Sequence, residues 1–226
     1  MRALRAFVLS IVFIISMLLT GCGGGGSSAT ASTPTTSGTN VYFPASVGFT
    51  WTYNVTSPSA NPYTVIETVN QVSASGFSTT EQASNGTLNE TINYSYTNST
   101  LEISSYIENS TSLTYTYTPA AIVLPADMTV GSSASTTSSL LSNNVTNSSI
   151  LRNITIDDDE TITVPAGIFT ARKATLTINT TPVSGQPSQM IYNYWYVDNI
   201  GKVKTEFYNA NSPTQITTWE MASYSL

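Results

Sequence analysis

Few side chains in this chain could do chemistry. Its 226 residues include no histidine, one cysteine (Cys22) and three lysines (Lys173, Lys202 and Lys204), set against thirteen carboxylates. Without histidine, neither Ser-His-Asp nor Cys-His catalysis can be assembled, and a histidine-ligated metal is excluded as well. None of the lysines stands in a Ser-x-x-Lys pattern, and all three read as solvated strand residues. Carboxylates are the remaining catalytic route, because a glycosidase needs a pair about 5 to 10 Å apart across a sugar. Nothing in the spacing of these carboxylates marks such a pair, so the chain reads as non-catalytic and without a cofactor.

Two groups remain as candidate binding residues. The one charge cluster is Asp157-Asp158-Asp159-Glu160. The metal such a run could hold is Ca²⁺, a hard cation that takes roughly six to eight oxygens. The spacing argues against it, since consecutive strand residues point to opposite faces and the order Asp-x-Asp-x-Asp-Gly is missing. A solvated turn between strands explains the cluster equally well. The second group is aromatic: Trp51, Tyr53, Tyr194, Trp195 and Trp219 could stack sugars or line an apolar pocket. The plain alternative is a core face and a wet face of one sheet, because aromatic enrichment is what strands generally show.

The elements that must carry these residues begin with an address. Arg2 and Arg5 precede an uncharged run from Phe7 to Gly21 that ends Leu19-Thr20-Gly21-Cys22. A basic start, an apolar stretch and small residues at a cleavage point make a signal peptide. A spanning helix would need roughly 20 apolar residues, and Arg5 cuts this run short of that. The last four residues resemble the lipobox of bacterial lipoproteins. That resemblance implies cleavage between Gly21 and Cys22, a diacylglycerol on the Cys22 sulfur, and a membrane as partner. As the only cysteine, Cys22 serves no disulfide within the chain.

Removing residues 1–21 takes away two of the seven basic residues and no acidic ones, which moves the formal charge from −6 to −8. Such a chain has no electrostatic footprint for nucleic acid. Residues 22–40 are Gly, Ser, Thr and Ala with little to bury, which makes them a flexible tether. Residues 41–226 are long enough for one core. They are rich in Thr, Ser, Asn, Tyr and Val, which predicts an all-β domain.

Within that domain Phe49, Trp51, Tyr53 and Val55 alternate with polar residues, and Tyr192, Tyr194 and Tyr196 alternate with Asn193, Trp195 and Val197. Both runs have the period of a strand with one buried face. About ten or eleven strands follow from such patterns, and Asn85-Gly86 is expected to form a type I′ hairpin. Residues 119–147 read as a long connection with a brief helical turn near Leu140. Short sequential strands with tight turns predict one antiparallel meander, curved strongly or rolled into an open barrel.

Several motifs recur in order along the domain. They are Tyr42-Phe43-Pro44, Val47-Gly48-Phe49-Thr50-Trp51-Thr52-Tyr53, Val164-Pro165-Ala166-Gly167-Ile168-Phe169, and the stretch Trp195 to Lys204 containing Ile200-Gly201-Lys202-Val203-Lys204. This set resembles one found in β-rich bacterial envelope lipoproteins, with Asn199 where a glycine is usual. The resemblance implies a curved antiparallel sheet like the half-barrels that carry lipids or lipoproteins across the periplasm, at the outer membrane. It transfers no activity. The sequence thus leads to a non-catalytic, lipid-anchored envelope protein that holds an apolar or amphipathic ligand. A structural or adhesive surface protein is the competing class, and a carbohydrate-active enzyme comes third. The oligomeric state is left open.

Overall fold

The computed structural model describes residues 42–226. The expected signal peptide, the expected cleavage site at Gly21 and Cys22, and the expected tether lie outside these residues. The described chain forms β1 (Thr50–Ser57), β2 (Ala60–Ser73), β3 (Gly76–Ala83), β4 (Asn89–Thr97), β5 (Thr100–Glu108) and β6 (Leu113–Leu124). It continues with β7 (Ser133–Ser142), β8 (Val145–Val164), β9 (Gly167–Pro182), β10 (Ser188–Val197), β11 (Gly201–Asn209) and β12 (Thr217–Ser225).

Each strand pairs antiparallel with its neighbours in sequence, and β1 also pairs with β12, so the twelve strands form a closed barrel. The all-β meander is as expected, but the barrel is closed rather than open. Closure gives every strand a neighbour on both sides, although β6 pairs with β7 only over Tyr115–Thr118, and beyond it the Ile122 N–H donates to the Thr136 hydroxyl. Every strand finds both hydrogen-bonding neighbours within residues 50–225, and one cluster of buried apolar residues takes its members from Phe43 through to Met221. A closed sheet around its own apolar core is what an independently folding domain requires.

Alternation sets the inside and the outside. On β1, Trp51, Tyr53 and Val55 are buried while Asn54 and Thr56 are exposed; on β8, Ile150, Ile154 and Ile156 are buried while Ser149, Asn153 and Thr155 are exposed. The barrel is thus apolar within and Thr/Ser/Asn-rich without, the reverse of the apolar outer band of a membrane-spanning barrel.

Three local expectations are corrected. Residues 119–147 hold no helical turn: β6 runs through to Leu124, and Leu140 lies in β7. The Ser/Thr run was hard to recognise because small side chains occupy both faces of that strand. Second, Asn85-Gly86 is not a type I′ turn. Of the two, only Gly86 has a positive φ (73°), and the Asn85 side chain instead accepts from the backbone N–H and hydroxyl of Thr87. Turns with two successive positive φ values occur at Asn98-Ser99 and Asn143-Asn144, where asparagine tolerates the left-handed region. Third, Asp157 to Glu160 do not break the strand; β8 passes through them with a register shift between Ile156 and Asp159 against β9.

One end of the barrel is sealed by the segment leading into β1. Phe43 packs against Trp51, Phe77 and Tyr94 at centroid distances of 5.6, 5.2 and 5.5 Å. All three partners sit where their strands meet that same end, so Phe43 forms a floor.

Candidate functional site

Above that floor the lumen encloses a cavity of about 430 Å³. Tyr63, Thr87, Leu88, Glu90, Glu108 and Met190 line it near the turns of the opposite end, which is its mouth. A sheet rolled into twelve strands is wider than its inward side chains can fill, and a cavity is the geometric result.

Of the aromatics singled out in sequence, Tyr194 and Trp219 line this cavity. Trp51 and Tyr53 point inward but are packed core. The indole N–H of Trp51 donates to the Ile200 carbonyl at 2.7 Å, and Tyr53 OH donates to the Lys202 carbonyl at 3.0 Å. Trp195 is on the outer face, where its Nε1 donates to Glu160 at 2.8 Å and its ring lies under the ammonium groups of Lys173 and Lys204. The alternation of Trp195 with Tyr194 and Tyr196 dictates this, since neighbours on a strand face opposite ways.

The acidic run divides among separate partners. Asp159 pairs with Arg172, Glu160 with Lys173 and Trp195, and Asp157 accepts from the Thr175 hydroxyl. The Arg172 hydrogen bond holds the Asp159 carboxyl below its usual range, and the bonds from Trp195 and Lys173 do the same for Glu160. Among the described residues no group of three or more potential ligands is placed to hold a metal ion.

The charged residues inside the barrel were not foreseen. Glu67 is fully buried, and its carboxylate lies 3.5 Å from Lys202 Nζ. Neither Glu67 oxygen finds a hydrogen-bond donor among the described residues, so the contact is an ion pair at long range. Lys202 is enclosed as well, with its ammonium 5.3 Å from the Tyr53 ring centroid and 5.5 Å from that of Trp219. Burial would lower the Lys202 ammonium, but Glu67 and Glu81 outweigh it and raise it.

Lys202 is thus not the solvated residue its sequence implied. A register shift between Trp195 and Tyr196 sets Lys202 opposite Tyr196 and Lys204 opposite Trp195. Residues two apart ordinarily share a face, and the bulge is what sends this pair to opposite ones. The other unforeseen groups had a visible signal: Glu67 falls between Val65 and Val69, and Arg152 between Ile150 and Ile154, on the buried stripes of their strands.

Several lining residues carry a buried polar atom with no partner among the described residues. Tyr106 OH, Thr205 Oγ1 and Arg152 Nε are buried without a hydrogen bond, and other atoms of the same three residues line the cavity. Arg152 is otherwise held by a 3.0 Å bond from Nη1 to the Ile122 carbonyl and by the Tyr117 ring. Buried polar groups are almost always satisfied, so such orphans point to a missing partner.

Fold and cavity together define a closed antiparallel β-barrel with an aromatic lumen and a plugged base. The chain belongs to the DUF3108-like family, whose pattern matches residues 53–219. Two solved structures share the fold. One is a candidate lipoprotein from Parabacteroides distasonis, with a TM-score of 0.53 and 16% identity over 81% of this chain and 98% of that one. The other is a candidate exported protein with a YmcC-like fold from Bacteroides fragilis, with a TM-score of 0.55 and 16% identity over the same shares, 81% and 98%. No curated protein matches the chain.

Proposed function

We propose that this protein is a non-catalytic, lipid-anchored lipoprotein of the bacterial cell envelope whose barrel holds an apolar or amphipathic ligand. In this reading residues 1–21 are a removed signal peptide, Cys22 carries the lipid, residues 22–40 are the tether, and residues 41–226 are the binding domain at the outer membrane. The lipobox-like Leu19-Thr20-Gly21-Cys22 supports the anchor, and the description of one structural neighbour as a lipoprotein and of the other as exported agrees with it.

The observation that carries the binding role is the aromatic cavity above the Phe43 floor, several of whose lining residues bury a polar atom with no partner among the described residues. Ligand sites generally combine an apolar lining with a few placed polar groups. Native mass spectrometry of residues 41–226, purified from the native envelope, should reveal a co-purifying amphiphile. A domain that emerges empty and also fails to take up a fluorescent fatty acid or fatty alcohol would falsify the reading. Metabolic labelling with a clickable fatty acid should mark the wild-type protein and leave Cys22→Ala unlabelled.

A further inference from the structure

The lumen carries its charges in a row. Glu67 stands opposite Glu81 on β3, Glu81 opposite Glu90 on β4, and Glu90 opposite Glu108 on β5. Cross-strand partners present their side chains to the same face, so the four carboxylates form one rung around the inner wall. Lys202 answers Glu67. Glu81, Glu90 and Glu108 line the cavity, and none of them belongs to an ion pair among the described residues. Glu108 accepts a 3.0 Å hydrogen bond from the Thr111 hydroxyl.

Like charges directly opposite one another destabilise a sheet, and burial adds to the cost. The shift at Glu90 agrees with this: burial, and then Glu108, push it up to about 7, with no cation among the causes. A second observation at the same wall is independent of the charges. Tyr106 is two residues before Glu108 on β5, is 5% exposed, lines the cavity, and has a hydroxyl without a partner among the described residues. Aromatic rings line the same cavity, among them Tyr117, Tyr194 and Trp219. Their faces attract cations, organic ammonium groups above all. The carboxylates do not converge on a metal position. A row of them suits a charge spread over a larger head.

We infer that the cavity takes an amphiphile with an organic cationic head, a protonated amine or a quaternary ammonium, seated against Glu81, Glu90 and Glu108 with its apolar part along the aromatic wall. This rests on the ligand-binding reading above and names the ligand's chemistry. Arg152 and Lys202, which also line the cavity, are the groups that would favour the opposite sign, and the test includes that case.

The barrel, residues 41–226, is titrated calorimetrically at pH 9, where Glu81 and Glu90 have lost their protons, with decyltrimethylammonium and decanoate below their micellar concentrations and decanol below its solubility. The cation should bind at least about tenfold more tightly than either of the others, the ratio that one well-placed charge interaction confers. The double variant Glu90→Gln, Glu108→Gln should bring the three affinities to within about threefold of one another, as expected when a charge contact is replaced by a neutral one of the same shape. If all three bind equally, or decanoate binds most tightly at Arg152 or Lys202, the cationic assignment fails and the cavity reading stands. If none of them binds to the folded wild-type barrel, both fail.

Discussion

The Lys202 ammonium lies 3.5 Å from Glu67 Oε2 inside the barrel, against the rings of both Tyr53 and Trp219. The two residues come from β2 and β11, which are not neighbours in the sheet but lie on either side of β1 and β12. The pair therefore couples strands across the seam where the barrel closes.

Removing the cation should be costly. Lys202→Met leaves the Glu67 carboxyl, whose side chain is 1% exposed, buried without its partner. Breaking a buried pair from one side costs about 3–5 kcal/mol, whereas replacing both partners with apolar groups of similar size is often neutral. Urea unfolding should show a large loss for Lys202→Met and recovery of most of it in Lys202→Met with Glu67→Leu. A single variant as stable as wild type would mean that the pair has no structural role.

Stability should fall as pH rises through neutrality. Burial, and then Glu67, push Glu81 up to about 8, while burial and Glu108 push Glu90 up to about 7. Both lie above the ordinary value of 4.5. Between that value and the folded ones the native state holds protons that the unfolded chain has released, so rising pH favours unfolding. Each group contributes a slope of at most about 1.4 kcal/mol per pH unit within its window. Chemical denaturation at pH 5, 6, 7 and 8 should show midpoints that decline, and Glu90→Gln should flatten the decline below pH 7. A profile that rises over this range contradicts the burial of these carboxylates.

The seal at the barrel base depends on Gly201. Its φ is +104°, and a Cβ there would lie 3.3 Å from Trp51 Nε1, the atom that donates to the Ile200 carbonyl. Gly201→Ala combines backbone strain with crowding of a buried indole, at about 1–3 kcal/mol. For a domain of this length that corresponds to a melting temperature lower by roughly 3 to 10 °C. An unchanged Tm would show that the turn adjusts freely.

The strand pattern was legible where large and polar side chains alternate, as in Trp51-Thr52-Tyr53 and Tyr194-Trp195-Tyr196. It was obscured in β7, where Ser138 is buried beside exposed Thr137, a contrast in burial without one in hydropathy. Closure could not be read at all, because the β1–β12 pairing is a relation between chain ends that no local pattern encodes. The cavity's charges were half legible. Glu67 and Arg152 interrupt apolar stripes, which marks them as inward facing, but Lys202 turns inward only through the bulge opposite Tyr196. Cross-strand register aligns Glu81, Glu90 and Glu108, and this information appears only once neighbouring strands are paired.

The three tryptophans should respond differently to a ligand, which separates the cavity from the rest of the aromatic set. Trp219 lines the cavity, and its Nε1 is buried without a partner. Trp51 is 1% exposed and fixed by its bond to Ile200, while Trp195 is on the outer face, bonded to Glu160 and covered by Lys173 and Lys204. An amphiphile entering the lumen changes the surroundings of Trp219 alone, so Trp219→Phe should remove most of the ligand-dependent change in emission. Trp195→Phe should keep that change and instead lose about 1.5–3 kcal/mol of stability, because it gives up a hydrogen bond to a charged group. If Trp195→Phe abolished the ligand signal and Trp219→Phe preserved it, the binding site would lie on the outer wall between β9 and β11, and the lumen would be excluded as its place.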